Sequence, residues 1–142
     1  MTLTSDRRAE LLAATPLFAG LDAAGMESVA QRAIEVSFDD GHVIARQGDI
    51  GTGFFVVATG AVRIVRDGHQ IAHLGPGEFF GELSVLDGRP RTAQVLADGP
   101  TTCLALASWD FEAVVTEQPG VALAILRVLA ARLRDLTEGA RH

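Results

Sequence analysis

The stretch Phe79-Phe80-Gly81-Glu82-Leu83-Ser84-Val85-Leu86-Asp87-Gly88-Arg89-Pro90-Arg91-Thr92-Ala93 decides how this chain is read, because it interrupts a regular pattern. Before it come the short β-branched or aromatic segments 34–38, 42–46, 54–58, 61–66 and 70–74, and after it 92–97 and 101–107. Asp40-Gly41, Gln47-Gly48-Asp49, Thr59-Gly60, Asp67-Gly68, Gly75-Pro76-Gly77 and Asp98-Gly99-Pro100 punctuate them. Short strands with glycine turns at regular intervals predict a mainly β fold, a sandwich or barrel of the jelly-roll kind. Asp67-Gly68 reads as a tight hairpin turn. Between Phe80 and Arg91 the alternation stops, and Gly81–Leu86 reads as one helical turn set into the β-fold. A ligand site is sought first where a regular sheet is broken.

Outward from this core the period becomes helical. Ser5 or Asp6 can cap a short helix through Ala14 that Pro16 ends, and Asp22 can cap a second over 23–34 with Met26, Val29, Ala30 and Ala33 on one face. Past Ala107, Ser108 can cap a helix over 109–117 with Phe111, Val114 and Val115 inward, and Pro119 opens a longer one to about Glu138. The expected plan is one unit over 1–142: N-terminal helices (1–33), a β-roll (34–107) and C-terminal helices (108–142).

The residues of the interrupting stretch point to an anion. Gly81 lets a backbone approach closely. The amides of Glu82, Leu83 and Ser84, at the start of a helical turn, lack intrahelical partners and face outward. Arg91 offers a planar fork to two phosphate oxygens, and Thr92 a hydroxyl. A carboxylate at Glu82 is repelled by phosphate, so it fits only by accepting from something else, such as a sugar hydroxyl. Together they suit a sugar phosphate with a compact, singly charged diester. The blander alternative is a turn at Gly81, a salt bridge from Glu82 to Arg89 or Arg91, and a helix cap at Ser84.

Phe80-Gly81-Glu82-Leu83-Ser84-Val85 followed by Arg89-Pro90-Arg91-Thr92-Ala93 resembles the phosphate-binding cassette (80–93) of the cyclic nucleotide-binding domain family. That family includes catabolite activator proteins, regulatory subunits of cyclic-nucleotide-dependent kinases and gated channels. Gly41-His42-Val43-Ile44, Gln47-Gly48-Asp49, Phe54-Phe55-Val56-Val57, Gly60-Ala61-Val62-Arg63-Ile64 and Gly75-Pro76-Gly77-Glu78-Phe79-Phe80 are similar to its strands, so the resemblance runs from about Leu17 to Leu136. It implies a β-roll with C-terminal lid helices and a cyclic nucleotide ligand, with cAMP ahead of cGMP. Arg91 would pair with the equatorial phosphate oxygen and Glu82 would accept from the ribose 2′-hydroxyl. The amides near Gly81, Ser84 and Thr92, with the Thr92 hydroxyl, would complete the cradle. Arg91 follows Glu82 by nine residues, closer to the kinase-type spacing than to the activator type. The Thr92 position carries, in some relatives, a hydroxyl that accommodates guanine. Over the base, the resemblance places Thr137, with Arg134 a second candidate by stacking; both also read as solvated helix residues.

Composition narrows the function classes. The 142 residues carry 12 basic and 18 acidic side chains, a net charge of −6, which opposes a general nucleic-acid-coating role. All twelve basic residues are arginine, so lysine chemistry, including the Schiff base and the phosphate-loop lysine, is closed. The single Cys103 forms no internal disulfide or cysteine-ligated cluster, and reads as a buried strand residue. Met1–Glu10 is polar and the longest apolar stretch, 121–131, contains Arg127, so neither a signal peptide nor a membrane span is expected. A cytoplasmic protein without cofactor or catalysis follows as the expectation.

The chain stops at His142 with no helix-turn-helix after the last helix, so a sensor that signals to a separate effector, or a nucleotide buffer, is expected. Movement of the C-terminal helix would carry the signal. Leu126, Leu129, Leu133 and Leu136 have a spacing that forms either a homodimer seam or a face packed on the roll. Two other readings stand beside this one: a β-roll interaction module that has lost binding, and a cupin-like metalloenzyme. Against the second, His69 and His73 on one strand would lie roughly 13 Å apart, too far to share a metal.

Overall fold

The computed structural model describes residues 3–48, 53–81 and 90–139. Helices α1 (Ser5–Ala14) and α2 (Ala23–Arg32) precede the strands β1 (Ile34–Phe38), β2 (Val43–Ala45), β3 (Gly53–Thr59), β4 (Val62–Arg66), β5 (His69–Leu74), β6 (Phe79–Phe80), β7 (Gln94–Ala97) and β8 (Thr101–Ala107). Two helices follow, α3 (Ser108–Glu117) and α4 (Pro119–Gly139). The strands form two antiparallel four-stranded sheets, ordered β1-β8-β3-β6 and β2-β7-β4-β5. This is the β-roll with flanking helices that the sequence predicts.

The sheets differ in what covers them, and the sequence of each strand follows from that. In β3 and β8 the pleat sends Phe54, Val56, Leu104 and Leu106 into a cluster with the helices, while Val57 and Cys103 enter the space between the sheets. The first sheet is therefore buried on both faces at its centre, which explains the unbroken apolar runs of β3 and β8. Phe54 is the hub of the helix side. Its ring centroid lies 5.9 Å from Phe18, 5.6 Å from Phe79 and 5.0 Å from Phe111. Cys103 is fully buried between the sheets, and that burial pushes its thiol up to about 12, so it acts as a small core hydrophobe.

Local chemistry sets the ends of the elements. The Asp22 carboxylate accepts from the Gly25 amide at 2.8 Å and caps α2. Asp67 and Gly68 both have positive φ (52° and 81°), the requirement of a type I′ hairpin turn between β4 and β5. Three expectations are corrected. Thr4, one residue earlier than expected, caps α1 by accepting from the Arg7 amide at 3.1 Å. The second helix stops at Arg32 and not at Ile34, because Ile34 pairs with Ala105 and opens β1 where the strand segment 34–38 was expected. Ser108 lies inside α3; the preceding Ala107 is the cap residue, with no side-chain bond. Arg32 on α2 grips Glu117 on α3 through two hydrogen bonds of 2.6 and 3.0 Å, which hold the Glu117 carboxyl below its ordinary range. The pair is exposed to water, so it orients the helices more than it stabilises them.

No single described helix is long and apolar enough to cross a membrane. Helices α3 and α4 reach that composition only as a pair bent by 109°, and they place Phe111, Val114, Val121 and Ile125 in the core.

Candidate functional site

The two-residue strand β6 pairs with β3 through Phe55↔Phe80 and Val56↔Phe79. Its continuation carries Gly81 alongside the start of β3. There the chain turns with φ of +96°, which an L side chain rarely adopts, and a Cβ on Gly81 would stand 2.5 Å from the Gly53 carbonyl oxygen. The same Cβ would lie 3.3 Å from Nη1 of Arg91 and 3.4 Å from the Cα of Phe54. Arg91 thus reaches, from far along the chain, the spot where Gly81 and Gly53 approach.

Backbone and side chain both fix Arg91. Its Nη2 donates to the Gly53 carbonyl at 3.0 Å, and its own carbonyl accepts from the Gly48 amide at 2.9 Å. The side chain is partly buried, so its charge acts through a medium less screening than bulk water. A guanidinium has five N–H donors in one plane, so orienting one of them orients the whole fork. Such a fork can pair in plane with two oxygens of an anion.

The other expected site residues fall into three groups. Thr92 follows Arg91 and is exposed. Glu82, Leu83 and Ser84, with the helical turn expected there, lie outside the described residues. Arg134 and Thr137 are exposed on α4, and the Thr137 hydroxyl donates to the Leu133 carbonyl of its own helix at 2.9 Å. A different arginine contacts the roll: Arg132 lies over the Phe79 ring, 5.6 Å from its centroid.

Gly53, Phe79 and Arg132 were not singled out from the sequence. A glycine that opens a strand pattern marks close backbone approach, so Gly53 carried a readable signal in Gly51-Thr52-Gly53. Arg132 carried none, since its role depends on helix register against the roll. As for metal chemistry, the described residues contain no group of three or more His, Cys, Asp or Glu side chains able to hold an ion. His73 instead pairs with Asp98 at 3.0 Å on the surface.

Gly81→Ala tests the close approach. Because the new Cβ meets backbone and not a flexible side chain, the substitution should cost about 1–3 kcal/mol of stability. It should also disturb the Arg91–Gly53 contact. Chemical unfolding reads the first effect, and a variant as stable as the parent would show that the chain yields freely here.

The family model for the cyclic nucleotide-binding domain matches residues 35–118. The chain belongs to the cyclic nucleotide-binding domain family. It is 38% identical over 126 residues to the cyclic AMP receptor protein of Thermus thermophilus, covering 85% of this chain and 58% of that protein. Among solved structures, the catabolite activator protein of Thermus thermophilus superposes with a TM-score of 0.83 at 36% identity, over 89% of this chain and 62% of the other. The regulatory domain of Toxoplasma gondii PKA, solved with cAMP, superposes with a TM-score of 0.72 at 26% identity, over 78% of this chain and 44% of the other. The chain thus spans less than two thirds of the length of each.

Proposed function

We propose that this chain is a cAMP-responsive sensor without catalytic activity of its own, in which residues 1–142 act as one unit. The observation that carries the reading is the convergence of Arg91, Gly81 and Gly53: a fixed guanidinium beside backbone too close for any side chain. A cyclic phosphodiester carries one negative charge and is compact enough for such a clamp. Arg91 would take the equatorial phosphate oxygen, and the amides near Gly81, Ser84 and Thr92 the remainder. Leu83 would contribute through its amide. Glu82 would accept from the ribose 2′-hydroxyl, and cAMP is placed ahead of cGMP. Arg134 and Thr137, both exposed on α4, would cover the base.

The signal would pass to a separate effector through the position of α4, as a shift between two arrangements. A homodimer is a second use of the same helix: Leu126, Leu133 and Leu136 are 63%, 66% and 73% exposed, whereas Leu129 packs on the core. Sedimentation showing only monomer at high concentration, with and without nucleotide, removes the dimer. Direct binding to DNA or RNA is not part of the proposal, given the net charge of −6, and neither is a membrane; the site of action is placed in the cytoplasm.

Calorimetric titration with cAMP, cGMP and 5′-AMP tests the function. Saturable binding of cAMP, weaker binding of cGMP and little of the doubly charged open phosphate are expected; equal heats for all three would leave a generic anion site. Glu82→Gln should weaken cAMP binding by about 1–2 kcal/mol and leave binding of 2′-deoxy-cAMP unchanged. An equal loss for both ligands removes the ribose assignment.

A further inference from the structure

We infer that Arg132, through its guanidinium on the Phe79 ring, sets how the C-terminal half of α4 is held against the roll, and that it links that helix to the entrance of the candidate site. Helix α4 is anchored at its start by Val121 and Ile125, buried in the core, with Val128 and Leu129 partly so. From Ala130 to Glu138 every side chain is exposed. Within that exposed stretch Arg132 still reaches inward and lies 5.6 Å from the centroid of Phe79.

The ring beneath it is firmly placed. Phe79 opens β6, is paired with Val56, and stands two residues before Gly81. It packs at 5.6 Å on Phe54, which packs at 5.0 Å on Phe111 of α3. The row Phe79–Phe54–Phe111 therefore runs from the edge of the site to the helix that leads into α4. Chemistry favours arginine over lysine here. The guanidinium is planar and weakly hydrated, so it lies flat on the negative face of an aromatic ring at little desolvation cost. Arg134 cannot substitute, because two residues along a helix rotate a side chain by about 200°.

The consequence for regulation rests on the proposed nucleotide reading. A ligand that draws Gly81 toward its phosphate also shifts Phe79, two residues before it, and with it the ring on which Arg132 sits. By reciprocity, a partner that pulls α4 away alters the site. Arg132 is in this account a positioning residue and does not touch the ligand.

The test has a ligand-free arm and a cAMP arm, both read by amide hydrogen exchange over residues 126–138. Without ligand, Arg132→Ala should speed exchange there about two- to fivefold, Arg132→Lys by less, and the volume-conserving Phe79→Leu by a similar factor. In the double variant Arg132→Ala/Phe79→Leu the two factors should be less than multiplicative, since the contact that one substitution removes is already weakened by the other. Unchanged exchange in Arg132→Ala, or factors that multiply in the double variant, overturns the inference. With saturating cAMP, exchange over 126–138 should change in the parent and respond less in Arg132→Ala, while β3 and β6 respond equally in both. An equal response over 126–138 overturns the link to the site. A parent that shows no response to cAMP anywhere contradicts the nucleotide reading and leaves the ligand-free result standing on its own.

Discussion

Replacing Arg91 by alanine is expected to weaken cAMP binding by about 2–5 kcal/mol, or roughly thirtyfold and upward in Kd. The expectation rests on where the guanidinium sits. It is partly buried, tied to the Gly53 carbonyl at 3.0 Å, and lies beside a glycine whose Cβ would collide with that carbonyl oxygen. Alanine would leave a phosphate charge in that place without a counter-charge, and an unpaired ionic group away from water is expensive. Arg91→Lys separates charge from geometry: it restores a cation and not the planar fork, so its affinity should fall between the two. Calorimetry on the three proteins decides it. If Arg91→Ala binds as tightly as the parent, the phosphate lies elsewhere.

The largest effect on stability is expected at Phe54. It is fully buried and its ring meets Phe18, Phe79 and Phe111, so one side chain joins the segment after α1, the strand leading to the site, and α3. Phe54→Ala removes the transfer energy of the ring and leaves a cavity that three flanking rings cannot readily fill, a cost of about 3–5 kcal/mol. That is a large part of the about 5–15 kcal/mol by which a domain is ordinarily stable. Phe54→Leu should cost less, since much of the volume remains. Urea unfolding measures both. A loss below about 1 kcal/mol for the alanine variant would mean that the core closes over the gap and that Phe54 is not its hub.

How much of this was legible beforehand differs by element, for physical reasons. Strands that alternate or run apolar between glycine turns could be read directly, and Asp67-Gly68 named its own turn because so few residues accept φ > 0 at both positions. Strand β6 was missed because two residues carry no period. Ile34 was read both as the end of the second helix and as the start of a strand, because local pattern cannot see the ladder with β8 that decides for the strand. Ser108 looked like a cap, yet the strand β8 runs up to Ala107 and hands the chain to the helix one residue sooner. Within the candidate site, Arg91 and Gly81 stood out because they fall where the strand alternation breaks. The Gly53 carbonyl did not, since a backbone acceptor has no sequence signature beyond the glycine itself. The contact of Arg132 with Phe79 was unreadable for the same reason. Which side of α4 faces the roll is settled by Val121, Ile125 and Leu129 packing on the core, a fact of tertiary register.

The most direct measurement is a crystal structure of this chain grown with cAMP. The account predicts the cyclic phosphate at the Gly81 turn, with its oxygens at about 3 Å from the Arg91 guanidinium nitrogens, within charge-assisted hydrogen-bond range. Cyclic nucleotide bound in another part of the roll, or this place left empty at saturating ligand with Arg91 still on the Gly53 carbonyl, would contradict it.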